Sequence, residues 1–233
     1  MEEYKEDNDL LNKIVVEDDY SGGGYFQDNF CIFKSINNDI LYIVYTGINN
    51  SIISYDLINI NKVFQIKNVQ NNEIIKYYLD INNKRDLILS LGDNGFQLWN
   101  FYNMECIVDI NNIYNAGHIN SGCLFFDNTK INIVTSCSLY GPGEPLKVFD
   151  INGNLIKEIK NSAIRTNYID TYKDDLNIYI IAANSKRLKA YNFYKNEEYH
   201  TFWDYEYNYK YLLEGINHIG FVIINEDNII KIF

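Results

Sequence analysis

The sequence predicts an all-β protein assembled from repeated four-stranded antiparallel sheets. Three observations carry that prediction. Asn, Ile and Tyr number 35, 36 and 21 against 5 Ala and 2 Pro, so turn and strand formers dominate and the best helix former is nearly missing. Five short segments alternate in polarity up to an aromatic anchor, and the anchors are 44, 50, 42 and 42 residues apart. Turn-forming residues keep the same phase ahead of each anchor. A chain of 233 residues is long enough to bury a sizeable core.

The anchored segments are Ile52-Ile53-Ser54-Tyr55-Asp56, Phe96-Gln97-Leu98-Trp99-Asn100, Leu146-Lys147-Val148-Phe149-Asp150, Leu188-Lys189-Ala190-Tyr191-Asn192 and Ile230-Lys231-Ile232-Phe233. Asp or Asn follows the anchor wherever the chain continues. Six residues before the anchors stand Asn49, Asp93, Gly143, Ser185 and Asp227, which predict a tight hairpin into the anchored strand. A strand is predicted ahead of each hairpin, at Leu41–Tyr45, Leu87–Leu91, Ile131–Thr135, Ile178–Ala182 and Phe221–Ile224. Another follows each anchor, at Val63–Ile66, Cys106–Val108, Leu155–Ile159 and Tyr199–Trp203. About twenty residues before the anchors come Ser35, Asp80, Asp127, Asp170 and Glu214, each closing an apolar or aromatic stretch. The unit is therefore a four-stranded sheet of roughly 43 residues, the size of a propeller blade.

The run Ser90-Leu91-Gly92-Asp93-Asn94-Gly95-Phe96-Gln97-Leu98-Trp99-Asn100 resembles the blade ending of the WD-repeat family. Glu226-Asp227-Asn228-Ile229-Ile230-Lys231-Ile232-Phe233 is similar, and Gly117-His118 resembles that family's Gly-His dipeptide. The resemblance runs from about Leu10 to Phe233 and implies a β-propeller acting as a platform for other proteins. That family commonly links a His, a Ser or Thr, an Asp and the Trp of one blade by hydrogen bonds. No unit here carries all four: the second has Ser90, Asp93 and Trp99, and the third has His118 but Gly143 where Asp is usual. Packing of Ile and Tyr between units must carry more of the stability.

Residues 1–9 read as an acidic tail and residues 10–233 as one propeller domain. Leu10-Leu11-Asn12-Lys13-Ile14-Val15-Val16 reads as a spare strand that pairs with the last unit and closes a ring of five blades, which predicts a monomer. The alternative is a piece of a larger propeller.

A net charge of −11 disfavours contact with a nucleic-acid backbone or an anionic membrane surface. No apolar run approaches the roughly 20 residues of a membrane-spanning helix. The acidic start is unlike a signal peptide. Cys31, Cys106, Cys123 and Cys137 are scattered without zinc-site spacing. These features predict a cytoplasmic, non-catalytic protein without metal or cofactor, whose partners are proteins with basic segments. The alternative function is a carbohydrate-binding or glycoside-acting five-bladed propeller.

Two groups of candidate residues follow. Asp80, Asp127, Asp170 and Glu214 would ring one mouth of the channel, where carboxylates hold a cation or a basic peptide or act as an acid/base pair. The plainer reading has them capping turns. In the third unit, the loop Ser138-Leu139-Tyr140-Gly141-Pro142-Gly143-Glu144-Pro145 is longer than its counterparts. Tyr140 and Glu144, with His118, are the candidate partner contacts, since function concentrates on loops over a rigid scaffold. Ser21-Gly22-Gly23-Gly24-Tyr25 lacks a P-loop ending and reads as a connector. The tract from Glu197 to Tyr209 combines acids with aromatics, and reads either as an outer strand that binds a partner by its side or as a packing face.

Overall fold

Alternating apolar residues become strands because one face can then be buried while every backbone group pairs within the sheet. The computed structural model describes residues 30–47, 51–59, 61–66, 69, 74–92, 95–114, 119–137, 144–162, 166, 168–184, 187–204, 221–224 and 229–232. These form only β-strands and turns. Unit 1 comprises β1 (Phe30–Lys34), β2 (Leu41–Gly47), β3 (Ser51–Asp56) and β4 (Asn61–Ile66). Unit 2 comprises β5 (Ile74–Asp80), β6 (Arg85–Gly92), β7 (Gly95–Asn100) and β8 (Glu105–Ile110). Unit 3 comprises β9 (Ile119–Asp127), β10 (Lys130–Cys137), β11 (Lys147–Asp150) and β12 (Leu155–Glu158). Unit 4 comprises β13 (Tyr168–Lys173), β14 (Ile178–Ala183), β15 (Arg187–Asn192) and β16 (Glu197–Asp204). Each is an antiparallel sheet whose strands lie in chain order, and β17 (Phe221–Ile224) pairs with β18 (Ile229–Ile232) in a further hairpin.

The anchors occupy one register row. It runs Ile32–Ile43–Tyr55–Lys62 in unit 1, Tyr77–Ile88–Trp99–Cys106 in unit 2, Leu124–Ile133–Phe149–Leu155 in unit 3 and Thr171–Ile180–Tyr191–Glu198 in unit 4. The Asp or Asn after each anchor caps the turn into the fourth strand. Asp56 Oδ1 accepts from the Ile58 and Asn59 N–H groups, and Asn100 Oδ1 from Tyr102 N–H. Asp150 Oδ1 accepts from Asn152 and Asn154 N–H, and Asn192 Oδ1 from Lys195 N–H. Asn128 and Asn196 hold a φ of 56°, a left-handed conformation that Asn tolerates, which is one use of so many Asn residues.

The first strands β1, β5, β9 and β13 lie beside one another in that order, so the sheets are arranged about an axis with their first strands innermost. Each junction holds its own apolar core. Phe33, Tyr42, Val44 and Ile52 of unit 1 meet Ile75, Ile88 and Phe101 of unit 2. Leu89, Leu91, Phe96 and Leu98 of unit 2 meet Ile119, Ile133 and Phe149 of unit 3, and Phe125, Val134 and Val148 of unit 3 meet Ile180, Tyr191 and Phe193 of unit 4. A fourth cluster of Ile181, Ala183, Leu188 and Ala190 covers the far face of unit 4. Gly95 permits one close approach: a Cβ there would lie 1.8 Å from the Ile110 carbonyl oxygen.

Polar links supplement this packing. Asp86, completely buried, accepts from Ser35 Oγ at 2.6 Å, Asn37 Nδ2 at 3.0 Å, Tyr77 OH at 2.9 Å and Ile36 N–H at 3.3 Å, which ties unit 2 to the first hairpin of unit 1. Tyr194 OH donates to Asp127 Oδ1 at 2.7 Å and Ser121 Oγ accepts from Ile169 N–H at 2.9 Å, joining units 3 and 4. Within unit 2, Trp99 Nε1 donates to Ser90 Oγ at 3.3 Å. The turn formers Asn49, Asp93, Gly143, Ser185 and Asp227, the expected closing strand at 10–16 and the Gly-rich segment at 21–25 lie outside the described residues.

Candidate functional site

Along the innermost strands lies a wide, open pocket of about 370 Å³. It is lined by Phe30, Cys31 and Ile32 of β1, by Ile75, Lys76, Tyr77 and Tyr78 of β5, by Cys123 of β9, and by Tyr168 and Asp170 of β13. The register explains this composition. Cys31, Lys76, Cys123 and Asp170 each stand one residue before the anchor row, so four neighbouring strands present two thiols, an ammonium and a carboxylate at one level.

The environment of these groups is specific. Lys76 Nζ lies 5.1 Å from the centroid of the Tyr168 ring, a cation–π contact. Asp170 Oδ1 accepts from the Thr171 N–H at 2.8 Å. Burial pushes the Cys123 thiol up to about 12; the charge of Lys76 pulls it down and that of Asp170 pushes it up, so both charges act on this sulfur. Burial likewise pushes Cys31 up to about 12. Both thiols are therefore protonated near neutrality and are poor nucleophiles or metal ligands. Tyr77 stacks on Phe33 with ring centroids 4.0 Å apart, and its hydroxyl is turned to Asp86. Phe30 and Ile32, by contrast, are 57% and 53% exposed, leaving apolar surface open beside the charged groups.

The acids expected to ring one mouth do not share one setting. Asp80 ends β5, is 1% exposed, and is consumed locally: its carboxylate accepts from Asn83 N–H and Nδ2 and pairs with Arg85 at 2.7 Å. Asp127 ends β9 and serves the junction with unit 4 through Tyr194. Asp170 stands inside β13 rather than at its end, and the position matching Asp80 and Asp127 is Asp174, whose Oδ1 accepts from Leu176 and Asn177 N–H. Asp170 is thus the one of the three described acids that lines the pocket; Glu214 lies outside the described residues. Among the described residues no three His, Cys, Asp or Glu side chains are grouped as metal ligands.

Of the loop candidates, His118 and Tyr140 lie outside the described residues. Glu144 is half-buried and forms an ion pair with Lys147 at 2.8 Å. Lys147 Nζ also donates to the Ile113 carbonyl at 2.8 Å and lies 4.6 Å from the Tyr114 ring centroid. Glu144 therefore helps seat the connector between units 2 and 3. The same strand position recurs with an acidic neighbour in the adjoining units: Gln97 Nε2 donates to Asp109 Oδ2 at 2.9 Å, and Lys189 pairs with Glu198 at 3.0 Å. In the tract beginning at Glu197, residues up to Asp204 form β16; Tyr199 is 59% exposed, while Glu198 faces Lys189.

Four-stranded antiparallel sheets in chain order, their first strands side by side and apolar cores between them, are the architecture of the β-propeller class. Residues 18–183, well over half of the chain, match the family described as Protein of unknown function (DUF705), and the chain belongs to that family. Comparison with curated proteins finds no match. Among solved structures, the chain is similar to BBS1N in a crystal structure of BBS1N in complex with ARL6DN, soaked with lead. The TM-score is 0.56 at 11% identity, over 78% of this chain and 58% of that one. It is similar also to BBS1N in the corresponding mercury-soaked crystal, with a TM-score of 0.58 at 10% identity, over 78% of this chain and 54% of that one. At such identities the likeness is one of fold, and this chain spans little more than half the length of the chains it matches.

Proposed function

We propose that this protein is a non-catalytic, WD-repeat-like propeller whose service is to bind other proteins. The observation that carries the reading is the assembly itself: rigid sheets in register, joined by apolar cores. The fold likeness to BBS1N, a protein crystallised in complex with ARL6DN, supports protein partners as a class. The net charge of −11 favours partners with basic segments. Residues 1–9 are read as a tail outside the propeller, and a cytoplasmic setting is proposed with it.

We read the ring as closing at five units. Support comes from the two terminal faces. Ile53 and Tyr55, on the face of unit 1 turned away from unit 2, are 0% and 7% exposed, and Ala183, Leu188 and Ala190, on the far face of unit 4, are 1–3% exposed. Both faces have the apolar character of the internal junctions, and the β17–β18 hairpin belongs to the unit that would lie between them. A closed ring leaves no free edge and predicts a monomer.

The test is capture of partners by the tagged full chain, followed by cross-linking and mass spectrometry. Reproducible partners cross-linked through basic segments support the reading, and their attachment points report whether His118, Tyr140 and Glu144 or the axial pocket is the contact. A folded, monodisperse bait that captures nothing overturns it. A carbohydrate-binding reading has one observation in its favour: Tyr172, Tyr179 and exposed Tyr199 form a chain of ring contacts across unit 4, with centroids 6.3 and 4.7 Å apart. A glycan array tests that reading directly.

A further inference from the structure

We draw no further inference here: the strongest candidate, the exposed apolar patch that Ile36, Ile58, Ile81 and Tyr102 form on the hairpin turns at one rim of units 1 and 2, is an unpartnered surface, and nothing among the described residues shows what covers it.

Discussion

Ser35 Oγ donates a 2.6 Å hydrogen bond to Asp86 Oδ2, across 51 residues of sequence and from one propeller unit to the next. Asp86 is completely buried and carries three further donors, from Asn37, Tyr77 and the Ile36 backbone. Its removal would leave buried donors unsatisfied. Asp86→Ala should lower unfolding stability by about 3 kcal/mol or more, and Ser35→Ala by about 1 kcal/mol. Urea denaturation measures both, and a Ser35→Ala loss as large as that of Asp86→Ala would contradict the assignment of Asp86 as the hub.

Phe101 and Phe193 occupy matching turns, two residues after the anchors Trp99 and Tyr191. Each packs edge-on against an aromatic of the preceding unit: Phe101 on Phe33 at 4.9 Å between centroids, and Phe193 on Phe125 at 5.2 Å. Either Phe→Ala change should cost about 3–5 kcal/mol, in the range of buried Phe truncations. Exposed Tyr102, adjacent to Phe101, is the control and should be neutral to Ala within about 0.5 kcal/mol.

Asp80 should contribute to acid sensitivity. Burial raises its pKa, but hydrogen bonds from Asn83 and Arg85 and the charge of Arg85 outweigh that and hold it below the usual carboxylate value. A folded-state pKa below the unfolded one gives stability that is present above about pH 4 and is lost as pH falls through the folded value. The thermal midpoint of Asp80→Asn should therefore be lower than that of the unaltered chain at pH 7, and the two should converge in acid. A constant gap from pH 7 to pH 3 would show that Asp80 acts through geometry rather than charge.

Cys31 and Cys123 should be slow thiols. Burial pushes both up to about 12. At pH 8 the thiolate fraction of each is small. Reaction of the native protein with a disulfide reagent should be slow at Cys31 and Cys123 and become fast on unfolding, whereas Cys106 is exposed. A rapid native-state phase mapped to Cys31 or Cys123 by mass spectrometry would contradict the burial of these two thiols.

The strands are legible in the sequence because alternation and anchor phase are local properties. The segment expected at Phe221–Ile224 is β17, and those expected at Leu41–Tyr45 and Ile178–Ala182 lie within β2 and β14. The recurrence of Asp or Asn after each anchor, at Asp56, Asn100, Asp150 and Asn192, is legible too, while its use as a turn cap is read from the structure. The channel level is not. Cys31, Lys76, Cys123 and Asp170 share a register but no chemistry, and the hairpins after their strands, residues 35–40, 81–84, 128–129 and 174–177, differ in length. Counting back from the anchors therefore matches Asp170 to Asp80, whereas strand pairing matches Asp174 to it. The ion pair of Glu144 with buried Lys147 is hidden for another reason: it depends on where the connector through Ile113 and Tyr114 lies, which local sequence does not encode.

A crystal structure of the full chain tests the closed five-unit ring most directly. The β17–β18 unit is expected between the far face of unit 4, at Ala183, Leu188 and Ala190, and the outer face of unit 1, at Ile53 and Tyr55. Five units would then surround a channel with Cys31, Lys76, Cys123 and Asp170 at one level. Direct packing of unit 4 on unit 1, or either face covered by a second copy of the chain, would contradict the closed ring.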